Sequence, residues 1–576
     1  MGIIRKERSF KSGFFYLLVV LVLTAAAFLP SLSNGFVDFD DPSYVINNTL
    51  IRSFSPANLD RIFRSAFVGC YCPLAVISYS AEYRLFGLNA FFYHLTNYLL
   101  HLSVTAAVFF FIYKLSASRR AAFIVSVLFG IHPMHVESVA WISERKDLLC
   151  ALFYILALIS YLRYLDIKRR RHYILSILYF VLALFSKPMA VTVPLVLILL
   201  DHFCGRDLLS IRSLLEKAPF FIASAVFTVI NISFQSASGA TGLVATPGVK
   251  IYFLLKAIPF YLAKIFAPVN LSAMYLYHNI NAAHSAEVKY YLAVLALLLL
   301  AVIFFGRRSK EAIFGTLFFL MTVLPVLKIV PAGDCFAADR YMYIPSIGVF
   351  YLAAVFFGRL LESKFGIARW GAVFLLSAVI IILASLTWQR CGVWKDTETL
   401  YMDVLKRYPD RAPLYNDLGA HFAERGDLDK AIRCFGIALA FYPDYKAAKE
   451  NLASTMEDKR LRAVREEGEP AFKARLEGAK DAGEKVKLLN EMGLAEGQSN
   501  DIDKAIALFR EAAELDPSYA ESYNNLGFSY YLKGDVAGAE GYFRKALELD
   551  PGHKNAKRNL DFILSHKEDA ERVVKK

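Results

Sequence analysis

The sequence predicts an all-α protein in two parts: a polytopic helical membrane domain, residues 1–388, followed by an α-solenoid of paired helices, residues 389–576. Three observations predict it. Apolar runs of about 20 residues, the length that crosses a bilayer, recur through the first part. After Trp388 the composition turns to dense charge, and within that charged part a helix-pair pattern returns at a fixed period. With 56% hydrophobic and 20% charged residues and a mean hydropathy of +0.40, the chain is too apolar for an ordinary soluble enzyme.

The apolar runs lie at about 13–32, 90–113, 121–141, 148–164, 173–186, 188–202, 218–235, 288–305, 312–330, 341–358 and 370–388, eleven expected spans. The pair 173–186 and 188–202 is short and parted only by Lys187-Pro188, so it reads either as two spans or as a re-entrant hairpin. The first run follows Arg5, Lys6, Arg8 and Lys11 and continues to Leu32 without a polar cleavage flank, which favours a retained anchor over a signal peptide. The stretch 250–269 carries Lys250, Lys256 and Lys264 in an aromatic, amphipathic pattern and reads as a helix lying in the interface.

The net charge of +13 is settled by where it sits. Residues 389–576 hold 31 basic and 34 acidic residues, and residues 1–388 hold 34 and 18, so the whole excess lies in the apolar part and argues against a nucleic-acid partner. With eleven spans, 21 of those 34 basic residues fall on one side of the membrane. The positive-inside rule then predicts a cytoplasmic N-terminus and extracytoplasmic repeats.

In the second part Tyr415, Leu418, Gly419, Phe422, Ala431, Phe435, Ala438 and Pro443 match Tyr523, Leu526, Gly527, Tyr530, Ala539, Phe543, Ala546 and Pro551 at one constant offset. A third copy, Leu489 to Pro517, starts 34 residues before the last. The pattern resembles the tetratricopeptide repeat: small residues let two helices approach, large ones fill the gap, and Pro ends the second helix. The expected division is a half-repeat at 394–411, repeats at 412–445, 486–519 and 520–553, and a degenerate copy at 446–485. Such a solenoid is expected to bind a protein and to carry no chemistry.

Ionisable residues with chemical interest collect on the expected outer face. Asp38, Asp40 and Asp41 stand within four positions just after the first span, where adjacent carboxylates favour a raised pKa or a cationic partner; a polar turn closed by Asp41-Pro42 is the structural alternative. His132, His135 and Glu137 end the third span, an uncommon set so close to hydrocarbon, with a hydrogen-bonded helix end as its structural alternative. Two His with carboxylates are a weak metal signal, and Asp38-Phe39-Asp40 reads as an Asp-x-Asp pair of a kind that also occurs by chance, so no cofactor is the favoured expectation and a divalent metal the open alternative. Arg340, within Asp334-Cys335-Phe336-Ala337-Ala338-Asp339-Arg340-Tyr341, is suited to a lipid phosphate or to pairing with Asp339. A carboxylate to take a proton and an Arg to meet a departing phosphate are what transfer of a sugar from a lipid phosphate to a hydroxyl requires.

The ordered motifs NGFVDFDDPSYVINN, YCPLAVISYSAEYRLFGLNAFFYHLTNYLLH, GIHPMHVESVAWISERKDLLCALFY, SKPMAVTVPLVLILLD and ADRYMYIPSIGV, then a last span and the repeats, cover nearly the whole chain. In this order the chain resembles the transmembrane O-mannosyltransferases with tetratricopeptide repeats and their prokaryotic relatives, GT-C glycosyltransferases akin to the protein O-mannosyltransferases. The resemblance implies a GT-C-type membrane fold and an inverting enzyme with a polyprenyl-phosphate-linked monosaccharide as donor. The acceptor would be a protein or glycan hydroxyl presented by the repeats. It maps the catalytic acids onto Asp40 and Asp41, with Glu137 as the second acidic position and Asp40 as the leading base. The donor phosphate and sugar are expected at Arg340, His132, His135 and Lys187. The chain departs from its relatives at Cys72, before Pro73-Leu74, where they commonly carry a basic residue. Cys70, Cys72 and Cys335 are expected outside, as isolated thiols or, alternatively, with Cys70 or Cys72 reaching Cys335. A non-catalytic repeat scaffold and a lipid-linked oligosaccharide polymerase or ligase are the competing readings.

Overall fold

The computed structural model describes residues 11–237, 247–277, 285–306, 309–327 and 335–574. Arg5, Lys6, Arg8, Arg307, Arg308 and Asp334 lie outside them. Two compact units divide the chain, 1–409 and 410–576.

In the first unit the helices are α1 (Lys11–Phe28), α2 (Pro56–Phe63), α3 (Pro73–Phe86), α4 (Ala90–Ser116), α5 (Arg119–Gly130), α6 (Val136–Ala140), α7 (Arg145–Ile167) and α8 (Arg170–Ser186). They continue as α9 (Val193–Phe203), α10 (Ile211–Ala237), α11 (Pro247–Phe266), α12 (Ser285–Gly306), α13 (Lys310–Val323), α14 (Ser346–Leu361), α15 (Gly366–Cys391) and α16 (Thr397–Leu405). The eleven apolar runs fall mainly on helix where they are described, 121–141 being broken at 131–132 and 341–358 opening on a turn at 343–345, and most of the stretch 250–269 falls on α11. Among the described residues five helical segments are long and apolar enough to cross a bilayer: Gly13–Ser33, Ala90–Ser116, Ile142–Ile167, Ile211–Ala237 and Gly366–Trp394. Arg119–Gly130 with Pro133–Ala140, bent by 54°, makes a sixth if the pair is one span. Pro188–Phe203 and Ser346–Leu361 are apolar but shorter.

Close helix approach follows from small residues, as packing between lipid-facing helices requires. A Cβ on Gly348 of α14 would stand 2.4 Å from the carbonyl oxygen of Gly315 in α13, so only glycine permits that crossing. Tyr275–Leu276 and Cys335–Ala337 form a two-stranded antiparallel pair that leads into Arg340.

The second unit consists of α17 (Ala412–Glu424), α18 (Leu428–Phe441), α19 (Lys446–Glu466), α20 (Gly468–Glu477), α21 (Ala482–Gln498), α22 (Ile502–Leu515), α23 (Ala520–Leu532), α24 (Val536–Leu549) and α25 (Lys554–Val574). The periodic Gly and Phe meet as their spacing requires: a Cβ on Gly419, Gly493 or Gly527 would lie 2.6, 2.4 or 2.7 Å from Phe435, Phe509 or Phe543. Each of these pairs turns through a left-handed residue, Gly426, Asn500 or Gly534, and an Asp cap that accepts the amide of Lys430, Lys504 or Gly538. The degenerate copy is a 21-residue helix and a 10-residue helix, packed through Leu461, Val464 and Phe472 onto Val486, Leu489 and Met492.

Residues 394–409 of the expected half-repeat fall in the first unit. Trp394, Leu400, Tyr401, Val404 and Leu405 of this segment are buried, and the division at 388/389 falls inside α15. Trp394 stacks on Trp141, ring centroids 5.3 Å apart, so its amphipathic pattern serves the membrane unit.

Candidate active site

The loop between α1 and the turn at Pro42–Ile46 carries the three aspartates, and their surroundings make them unlike. Asp41 is fully buried. One oxygen accepts the Val37 amide at 3.0 Å; the other accepts the Ser143 amide at 3.0 Å and the Ser143 hydroxyl. Burial pushes its pKa up to about 6 against the pull of these hydrogen bonds. Asp41 thus fastens the loop to the turn Ile142–Glu144. The side chain of Asp38 takes the Thr397 hydroxyl at 3.2 Å. Asp40 remains 24% exposed, with one oxygen 3.9 Å from the Lys146 ammonium. Burial raises its pKa, and Lys146 pulls it back.

Glu144 is the centre of the cluster. Its carboxylate lies 2.9 Å from Lys146 Nζ, 3.2 Å from Lys187 Nζ and 3.3 Å from Arg340 Nε, and the side chain is 2% exposed. Lys187 also reaches Asp147 at 2.6 Å. Arg340 donates its backbone N–H to Glu137 Oε2 at 2.9 Å and its guanidinium to Oε1 of the same carboxylate. Its ring neighbours are Trp141 at 5.4 Å and Tyr341 at 5.1 Å, and Lys146 lies 4.6 Å from the Tyr44 ring, so aromatic faces hold the cations as well. Facing these three cations are four carboxylates: Asp40, Glu137, Glu144 and Asp147. Exposure runs from Asp40 at 24% through Arg340 at 19% and Lys187 at 12% to Lys146 at 6%. The opening of the cluster therefore presents a carboxylate and two cations.

The structure brings together Asp40, Glu137, Lys187 and Arg340 from the sequence reading and sets His132 and His135 elsewhere. His132 Nε2 pairs with the Ile265 carbonyl at 3.0 Å, and its Nδ1 accepts the Met134 amide at 3.3 Å. His135 pairs with the Phe129 carbonyl at 2.8 Å and the Ser346 hydroxyl at 3.1 Å. With every ring nitrogen engaged and both residues buried, the two histidines pin helix ends and have no nitrogen left for a donor. Glu144, Lys146 and Asp147 were missed. Their signal was four consecutive charges, Glu144-Arg145-Lys146-Asp147, at the head of an apolar helix. Arg145 is the structural member, fully buried against Glu82, Asn97, Ser78 and the Tyr93 carbonyl.

Cys72 sits 3.8 Å from the Tyr44 hydroxyl, so no cation enters the cluster from that position. No disulfide is formed among the described residues. Among the described residues no group of three or more His, Cys, Asp and Glu is arranged to hold a metal ion.

Residues 490–554 match the family model of the tetratricopeptide repeat. Over 471 residues the chain is 26% identical to the protein O-mannosyl-transferase F38B6.6 of Caenorhabditis elegans, covering 77% of this chain and 65% of that protein. Over 576 residues it is 23% identical to the protein O-mannosyl-transferase TMTC3 of Homo sapiens, covering 88% of this chain and 61% of that protein. The chain thus spans somewhat less than two thirds of the length of these curated relatives. Among solved structures, MamA protein is 22% identical over 28% of this chain and 86% of its own, with a TM-score of 0.16.

Proposed function

We propose that this protein is a membrane glycosyltransferase of the GT-C type, moving a monosaccharide from a polyprenyl-phosphate donor to a hydroxyl of a protein or glycan acceptor on the extracytoplasmic face. The observation that carries this reading is the asymmetry of the cluster: Asp40 is its most exposed carboxylate, beside cations otherwise held by buried acids. The relatives are named protein O-mannosyl-transferases, which supports the same reading.

In this reading Asp40 accepts the proton of the acceptor hydroxyl, and that oxygen attacks C1 of the sugar. The C1–O bond to phosphate breaks with its electron pair going to the phosphate oxygen, and polyprenyl phosphate departs. A single displacement inverts the anomeric centre. Arg340 and Lys187 meet the charge that develops on the phosphate. Taking the proton neutralises Asp40, which leaves three carboxylates facing three cations at the moment that charge appears. Glu137 acts through Arg340, whose two donors it holds. No step calls for a metal. The repeats would present the acceptor or a partner protein.

The test uses purified wild type and Asp40→Asn in liposomes, supplied with polyprenyl-phosphate monosaccharides and a protein acceptor. Wild-type transfer with a loss of about 10²–10⁴-fold in Asp40→Asn is expected. Full activity in the variant removes Asp40 as base. Wild-type turnover only with a lipid-diphosphate oligosaccharide makes the protein a ligase, and none with any donor leaves a repeat scaffold. A topology reporter fused at the C-terminus is expected on the extracytoplasmic face, and a cytoplasmic signal separates the repeats from the acids.

A further inference from the structure

We infer that Cys391–Tyr401, the segment that ends and follows the last span, is a strap that positions Asp40, with Thr397 and Tyr401 setting where its carboxylate stands. The inference rests on the reading of Asp40 as the base.

The loop 34–40 has no regular structure of its own, so its polar groups need partners from elsewhere. The segment 391–401 supplies most of them. Asn34 donates its side-chain amide to the Cys391 carbonyl at 3.1 Å, and the Gly35 amide donates to the Lys395 carbonyl at 2.8 Å. The Thr397 hydroxyl accepts the Asp38 amide at 2.9 Å and donates to the Asp38 carboxylate at 3.2 Å. The Tyr401 phenol donates to the Asp38 carbonyl at 2.9 Å. Both polar groups of the Asp38 backbone are therefore held by two side chains about 360 residues away, two positions before the base. Phe39 packs on Tyr401 and on Trp141, and Trp141 stacks on Trp394.

The other ends of the loop are anchored differently. His94 takes the Gly35 carbonyl at 3.2 Å, and Asp41 is tied to Ser143. Asp40 thus stands between an anchor on each side, the strap at Asp38 and Ser143 at Asp41. Thr397 and Tyr401 are buried and spend their hydroxyls on Asp38, so they act as positioning residues. A base displaced by about 1 Å loses rate more than it loses binding.

Tyr401→Phe and Thr397→Val remove single hydroxyls at nearly constant volume. Each is expected to lower kcat about tenfold with donor KM within about twofold of wild type, while Thr397→Ser, which keeps the hydroxyl, restores most of the rate. Hydrogen exchange at the amides of Gly35 to Asp40 is expected to quicken in both variants, with exchange elsewhere in the membrane unit unchanged. Wild-type kcat in both variants, or a loss that Thr397→Ser does not restore, overturns the strap. If wild type transfers no sugar, the functional reading falls by itself, and unchanged exchange at 35–40 in the variants then overturns the strap independently.

Discussion

Glu137 receives both the backbone N–H and the guanidinium of Arg340, so the second acid of the sequence reading is the residue that fixes the cluster's most exposed cation. A carboxylate with both oxygens engaged by one arginine is poorly placed to exchange protons with a substrate. Glu137→Gln keeps an oxygen for one donor and gives up the charge. Donor KM is expected to rise about tenfold in steady-state kinetics with kcat changed less. A fall of a thousandfold in kcat at constant KM would make Glu137 a proton donor or acceptor instead.

Asp41 carries a pH signature of its own. Its pKa of about 6 exceeds the ordinary 3.8, so between these values the folded chain holds a proton that the unfolded chain has released. Its contribution to stability is present below about pH 4 and is lost as pH rises to about 6, by up to about 3 kcal/mol. Asp41→Asn cannot titrate, and its amide turns a donor toward an N–H that needs an acceptor. Melting of both proteins in detergent from pH 4 to 7 is expected to show a wild-type advantage that is largest at pH 4. A gap that widens toward pH 7 contradicts the assignment.

For Asp40 the sign concerns rate. A base works deprotonated, and burial holds Asp40 above the usual carboxylate value while Lys146 lowers it. The acidic limb of kcat/KM is therefore expected above the ordinary value of 3.8 for aspartate. Lys146→Met removes the nearest cation and shifts that limb to higher pH. An unmoved limb would assign it to another group.

The repeats offer a matched pair of glycines. A Cβ at Gly493 would meet the Phe509 ring at 2.4 Å, whereas one at Gly436 would meet nothing within 4 Å. Gly493→Ala is expected to cost about 1–3 kcal/mol through overpacking, and Gly436→Ala to stabilise its helix by up to about 1 kcal/mol. Urea titration of the full chain, followed by a probe in the repeats, would measure both, and equal effects would deny the packing role of Gly493.

What was legible in the sequence was local. Hydropathy marked the apolar helices, and one period marked Gly419, Gly493 and Gly527 with the Phe residues they admit. The distinction between Asp40 and Asp41 was not legible, because it depends on Ser143, 102 residues away. Trp394 to Pro409 read as half a repeat since amphipathic spacing shows that a helix has a buried face and leaves its partner unnamed. The partner is the aspartate loop, some 360 residues earlier. His132 and His135 looked functional because polar residues near hydrocarbon are costly, and backbone carbonyls freed at helix ends meet that cost just as well.

The pairing of Glu137 with Arg340 also sets an order of assembly. During synthesis the carboxylate enters the membrane unit 203 residues before the arginine that engages it, and Glu144 waits nearly as long for its third cation. Lys187 comes early enough to neutralise part of the excess, and Arg340 closes the rest. A nascent chain that stalls between Lys187 and Arg340 therefore holds acid in the membrane unit that its cations have yet to match.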